Sequence, residues 1–350
     1  MAKPKRKLLP KDFEAMLENG NLDELKAVFD TRLIDARGDY DKRPALAFDL
    51  CPDPLARWLV AQGADLYAAN TYGDTPLHLR ACSWRGRMEV LLELGADVNR
   101  PNASGATPLH EAVRCHRAES TRVLLAHGAK LDAVDANGLT PLELALTTCQ
   151  NADLTEMLLI ARALLAAGAR TTGSMKDHVR SIGTRFEEFR AVFSPEHVDA
   201  FSAALDALYA LFEVAPLARR VMHNGRSPIS VAATDWESQH QELWDALVRP
   251  KGYAATVQGE VIRISGRIGR ELDGNGGANW DSDYKRMADA LLGHVQSGQP
   301  LPAPTLAEFA ALVGAAKRQS CDTARLAELS VAWVLLNPQP VAMEKPAYRR

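Results

Sequence analysis

His78 and His110 end two copies of one tetrapeptide, Thr-Pro-Leu-His, and paired imidazoles are candidate general bases or metal ligands. Arg263, Arg267 and Arg270 recur at helical spacing with Gly266 and Gly269 between them. They would line one side of a helix and offer a basic face to an anion or an acidic partner, unless Glu260 and Glu271 pair with them at i,i+3 and i,i+4 spacings. Gly266-Arg-Ile-Gly269 spells the GXXG of an RNA-binding loop, but its pattern is mid-helix and lacks the flanking strands. The run Asp273-Gly-Asn-Gly-Gly-Ala-Asn-Trp-Asp281 alternates oxygen side chains in the manner of a calcium loop, yet Tyr284 stands where the bidentate Glu belongs. His240 has Glu237 and Glu242 nearby, at no metal-binding spacing. HExxH, GxSxG, a Walker loop and a Rossmann fingerprint are absent. No catalytic residue, cofactor or metal is therefore assigned. The alternative is an enzyme whose catalytic residues lie apart in sequence within residues 174–350.

The bulk composition narrows the partner. Lys+Arg total 41 against 44 Asp+Glu, a net charge of -3, which argues against nucleic acid or an anionic membrane as the main partner. No apolar run approaches the roughly 18 residues that span a bilayer. The basic start, Lys3, Lys5, Arg6 and Lys7, leads through Leu8-Leu9-Pro10 straight to Lys11 and Asp12, without the apolar core of a signal peptide. The expectation is a cytoplasmic monomer. Cys51, Cys82, Cys115, Cys149 and Cys321 make an odd set without a CxxC pair, which predicts reduced, packed thiols in place of disulfides or zinc.

The elements that must position these residues come from a repeat. Thr75-Pro76, Thr107-Pro108 and Thr140-Pro141 are 32 and 33 residues apart, each followed by Leu. Upstream stand Gly73, Gly105 and Gly138; downstream, Gly-Ala pairs begin at Gly63, Gly95, Gly128 and Gly168. Thr caps a helix and Pro opens it, because the first helical residue needs no amide hydrogen. A second helix follows and closes at the Gly of Gly-Ala. One such helix pair cannot bury its own apolar face, so neighbours must stack.

This pattern resembles the ankyrin repeat, TPLH followed by LL and GA. The resemblance implies an all-α solenoid of helix-turn-helix units with finger loops, and a protein-binding function. It gives His78 and His110 a structural role, tying neighbouring fingers by hydrogen bonds. By position, it places the partner surface at finger tips and first-helix ends: Tyr72, Asp74, Ser83, Trp84, Arg85, Ser104, Arg114, His116 and Asn137. Tyr72, Trp84, Arg85 and Arg114 are of the types that anchor interfaces. Arg80 departs from the small residue of a packed first helix, and either pairs with an acid or marks a functional opening. The chain also resembles bacterial ankyrin-repeat proteins that share a Gln-Gly-Glu-Val-Ile-Arg block, here Gln258–Arg263, and an Asn-Gly-Gly…Asn-Trp-Asp block, here Asn275–Asp281. That likeness supplies no mechanism.

The expected organisation is a disordered tail at 1–8, an ankyrin domain at 9–173, divergent repeats at 174–256, a helical cap at 257–340 and a disordered tail at 341–350. Within 9–173 fall a capping repeat (9–37), a degenerate repeat with Arg43-Pro44 for Thr-Pro (38–70), and clear repeats at 71–101, 102–134 and 135–173. Helices are expected near 178–192 and 195–213. Ser227-Pro228 should cap and open a further repeat helix, and Thr305 should cap a helix through Ala316. Such a protein would serve as a scaffold or as an inhibitor or immunity-type protein.

Overall fold

The computed structural model describes residues 4–349 apart from 39, 86, 191 and 192, and leaves out the side chain of Pro195. The outermost residues of both expected tails and the end of the helix expected over 178–192 fall outside the described residues. The chain divides into two compact units, residues 1–185 with 195–217, and residues 186–194 with 218–350. Both are helical, apart from one two-stranded pair.

The first unit opens with β1 (Arg6–Leu8), α1 (Phe13–Asn19), α2 (Leu22–Ala27) and β2 (Arg32–Arg37). β1 pairs in parallel with β2, and Lys5 Nζ donates to the Phe29 carbonyl at 2.8 Å. The expected disordered start is thus corrected for residues 5–8: the carbonyls of Thr31 and Arg37 accept from Arg6 and Leu9, so the backbone is partnered. Asn21 starts α2 with a reciprocal capping box to Glu24. In the degenerate repeat, Pro44 opens only a short turn over Ala45–Ala47, followed by α3 (Asp53–Ala61).

The clear repeats supply α4 (Pro76–Cys82) with α5 (Glu89–Glu93), α6 (Pro108–Arg114) with α7 (Ala118–Ala126), and α8 (Pro141–Thr148) with α9 (Leu154–Ala166). Each Thr-Pro sits where the pattern places it. Thr75, Thr107 and Thr140 are extended N-cap residues, and the prolines are the first helical residues. Between α8 and α9 the last repeat carries a short turn over Asn151–Asp153. First helices pack on first helices through Leu77, Leu109, Leu142, Ala81, Ala112 and Ala145, all at most 1% exposed. Small residues at the contact let the helices approach closely, and the stack buries what one repeat could not. α10 (Gly173–Phe189) follows. Its last four residues are counted with the second unit, and α11 (Pro195–Leu211) completes the first against α9.

The second unit holds α12 (Trp236–Leu247), α13 (Val257–Gly269), α14 (Ser282–Val295), α15 (Ala303–Ala316) and α16 (Thr323–Leu336). Asn224-Gly225 makes a turn, its Asn Oδ1 accepting from Arg226 and Ser227 amides, but no helix follows Pro228. The expected first helix of that repeat is corrected. Ile229 donates its amide to the Pro338 carbonyl, while Ala232 and Ala233 donate to the Glu242 carboxylate. These partners satisfy an extended backbone that a helix would satisfy internally. Thr305 is not a cap either, because α15 begins two residues earlier after Pro302.

α13 is the central helix, packed against α12, α14 and α16. Gly266 allows the approach: a Cβ there would lie 2.6 Å from the Trp244 ring. The GXXG spelling therefore belongs to helix packing. The closing residues also pack. Val257 and Met343 exchange bonds with Val341 and Ala255 carbonyls respectively, and Tyr348 is buried. The expected disordered tail at 341–350 is thus corrected for residues 341–343 and 348.

Candidate partner-binding surface

The surface begins with what the fingers use for themselves. Asn70, Asn102 and Asp135 each accept two backbone amides across a finger turn, at 2.9 and 2.9 Å, 2.9 and 3.0 Å, and 2.9 and 3.0 Å. Such turns hold the backbone without help from a neighbour. Gly73 lies inside the first of them at φ +84, and a Cβ there would sit 2.6 Å from the Ala103 Cβ. Glycine meets both the left-handed backbone and the close approach.

His78 and His110 then tie finger to finger. The Thr75 amide donates to His78 Nδ1, so the ring hydrogen lies on Nε2 and is donated to the Ala106 carbonyl at 3.0 Å. His110 repeats the arrangement with the Thr107 amide and the Leu139 carbonyl, the latter at 3.1 Å. Burial pushes both imidazoles below their ordinary pKa, with the accepted carbonyl opposing weakly. Neutral, buried and saturated, they have no free nitrogen for catalysis. Glu143, at the same place in the third copy, reaches Ser174 instead.

The positions inferred for partner contact divide in two. Tyr72 and Trp84 are 64% and 84% exposed, and Arg85, Ser104, Arg114 and Asn137 are exposed as well. Asp74, Ser83 and His116 are less exposed and bond within the array. Asp74 accepts from Asn102 Nδ2 at 2.7 Å, and Ser83 donates to Asp49 at 2.7 Å. His116 is 5% exposed and its Nε2 donates to the Ala145 carbonyl at 3.1 Å. Its φ of +52 turns the chain after α6, which carries the ring inward. His116 is thus corrected to a structural role.

Around Trp84 the exposed residues converge. The Arg117 guanidinium stacks 3.7 Å over its ring and donates to the Cys82 carbonyl at 3.0 Å. Arg114 lies one repeat along and is bonded to Glu111 at 3.0 Å. Asp49, Leu50, Cys51, Pro52, Arg85 and Arg87 line an adjoining recess of about 430 Å³. The result is an aromatic surrounded mainly by guanidinium groups. Arg117 and Asp49 escaped sequence reasoning, although the finger-turn series Asn70, Asn102, Asp135 was legible at the repeat spacing.

Arg80 is wholly buried and donates to the carbonyls of Leu46, Cys51 and Arg87 at 2.8, 3.3 and 2.6 Å. It joins α4 to the preceding repeat and opens no site. Cys82 and Cys115, equivalent positions of adjacent repeats, form a disulfide across a Cα–Cα distance of 5.3 Å. This corrects the expectation of reduced thiols for that pair: stacking brings the two helix ends within bridging distance. Glu111 completes a trio with ligand atoms within 4.8 Å, but the sulfurs bond each other and Arg114 holds the carboxylate. Cys51, Cys149 and Cys321 are free, with thiols pushed up by burial to about 11, 12 and 11. They are poor nucleophiles.

In the second unit, Arg263, Arg267 and Arg270 do not share a basic face. Arg263 is wholly buried and pairs with Glu260 at 2.5 Å, the i,i+3 pairing named as the alternative. Arg267 is half-buried, and Arg270 stacks 4.8 Å over Trp244. The stripe is enclosed at Arg263, where neighbouring helices cover α13 and Tyr348 of the closing segment reaches Glu260, and returns to solvent only at Arg270. The anion site expected there is therefore corrected. The calcium-like loop is likewise self-contained: Glu271 accepts from Asn275 and from the Asn279 amide, the latter at 2.6 Å.

Two family models match the chain, that for the ankyrin repeat over residues 72–103 and that for ankyrin repeats in many copies over residues 91–145. Comparison with curated proteins gives no match. Among the described residues, no helix is long and apolar enough to cross a membrane. The matched residues are those whose Thr-Pro caps, finger histidines and glycine-closed helices stack in the first unit. Residues 72–145 are ankyrin repeats.

Proposed function

We propose that this protein holds one specific protein partner through the finger loops and first-helix ends of its ankyrin array, without catalysis. Ankyrin repeats are interaction modules in general, and the finger histidines here are saturated. The carrying observation is Trp84, 84% exposed, with Arg117 stacked on it and Arg85, Arg87 and Arg114 exposed on the same repeats. An exposed aromatic with cations beside it suits an acidic partner segment with an apolar anchor. The rigid repeats below keep the ordering cost of binding small. A scaffold and an inhibitor or immunity-type protein would use this surface alike. The role is that of a soluble, monomeric binder.

The test is capture from the native host with the chain as bait, beside a Tyr72→Ala/Trp84→Ala/Arg114→Ala control. The partner should be retained by the native chain and weakened about thirtyfold or more by the control, since an interface anchor is worth about 2 kcal/mol or more. Equal retention by both would refute this surface.

A further inference from the structure

In the second unit the carboxyl end of α12 and the amino end of α13 border an open recess of about 460 Å³. Its lining includes Met222, His223, Arg249, Pro250, Lys251 and Thr256. The groups that face it are donors. The Gly225 amide donates to His223 Nδ1 at 3.0 Å, so the ring hydrogen must lie on Nε2. That Nε2 is shielded from solvent and has no hydrogen-bond partner among the described residues. Arg249 and Lys251 are exposed and have neither an ion pair nor a hydrogen bond among the described residues.

Several acceptors at the end of α12 are already occupied. Arg220 donates to the Asp245, Trp244 and Val248 carbonyls at 2.8, 3.0 and 2.5 Å, which closes the negative end of α12. On the other side, Thr256 caps α13, whose Val257 and Gly259 amides already go to the Val341 carbonyl and the Thr256 hydroxyl, so this helix end lends the recess its positive dipole but not those amides. Two permanent cations, a neutral imidazole N–H and a helix amino end thus converge beside the apolar surface of Met222, Ala246 and Pro250.

We propose that this recess binds the phosphate group of a small phosphomonoester. A phosphate near pH 7 carries about -1.5 to -2 charges, matching Arg249 and Lys251 together, while a carboxylate would leave one cation unmatched. The imidazole Nε2 hydrogen, which no described protein group accepts, is donated to a phosphate oxygen. The apolar wall takes the organic body.

The experiment uses the full chain, isotopically labelled, with n-butyl phosphate, inorganic phosphate and butyrate as probes, followed by NMR and calorimetry. Butyl phosphate should shift the His223 ring and the backbone of 249–256 saturably, and bind about tenfold or more tightly than butyrate. Arg249→Gln/Lys251→Gln should weaken it by at least about tenfold, and His223→Phe several-fold, with binding falling as salt rises. Equal affinity for inorganic phosphate would show that the apolar wall takes no organic body and would overturn the phosphomonoester assignment. No saturable shift in the native chain, shifts confined elsewhere, or a double variant within about twofold of native affinity would overturn it. The native shift map decides the matter even if a variant unfolds.

Discussion

Replacing Arg263 by Met should destabilise the second unit severely, although the position reads in sequence as a solvated arginine. Its guanidinium and the Glu260 carboxylate are both 0% exposed, bonded at 2.9 and 2.5 Å, and Tyr348 donates to the same carboxylate at 2.6 Å. Burial opposes the charge on Glu260, but Arg263 and Tyr348 together hold its carboxyl below the usual carboxylate range. Removing either charge leaves the other buried without its partner, which costs about 3–5 kcal/mol. Replacing both by apolar residues removes the uncompensated charge, and Arg263 Nη1 already lacks a partner, so the pair is incompletely satisfied. The double variant Glu260→Leu/Arg263→Met should therefore recover most of the loss. At about 2–4 °C per kcal/mol for a unit of this size, each single change should lower the Tm of that transition by about 6–20 °C. Calorimetry on the native chain, both singles and the double closes the cycle, with a coupling of about 5 kcal/mol or more expected. A single Arg263→Met costing under about 1 kcal/mol, or strictly additive losses, would refute the buried pair and restore a solvent-facing arginine.

Reduction of the Cys82–Cys115 bridge, or Cys82→Ser/Cys115→Ser, should cost the first unit about 3–4 kcal/mol, because the sequence separation of 33 closes a substantial loop; urea melts with and without reductant measure it, and coincident melts would count against the bridge. His78, His110 and His116 are all held below their ordinary pKa of 6.5 by burial. The unfolded chain then takes up protons first as pH falls, so their contribution is intact above about pH 6.5 and declines as the pH drops toward their folded values. Urea midpoints between pH 7.5 and 5.5 should fall, and His78→Gln/His110→Gln should flatten that slope; a midpoint that rises on acidification contradicts the buried neutral rings. Gly73→Ala should cost about 1–3 kcal/mol, from a left-handed backbone and the Ala103 contact, and a neutral effect in a thermal melt would show that the finger relaxes freely.

Much of the first unit was legible because its signals are local and repeated. Thr-Pro dictates where a first helix starts, Gly-Ala where a second ends, and both act within a few residues of chain. In the second unit Asp281 and Asp322 cap α14 and α16 by accepting amides two or three residues on, a signal of the same short range. The candidate surface was legible in part: Tyr72, Trp84, Arg85 and Arg114 are exposed where the repeat offset places them, while His116 is turned inward.

What tertiary structure alone decided are the properties that depend on covering. Whether Arg263 faces water depends on α12, α14, α16 and Tyr348, which lies 85 residues further along the chain. Whether Ser227-Pro228 opens a helix depends on Pro338 and Glu242 offering the backbone other partners. The Cys82–Cys115 bridge follows from stacking two helix ends that spacing alone only numbers. Periodicity determines the local elements because hydrogen bonding and capping are short-ranged. Burial, charge pairing and bridging come from residues far apart in sequence, and so were settled only when the chain folded.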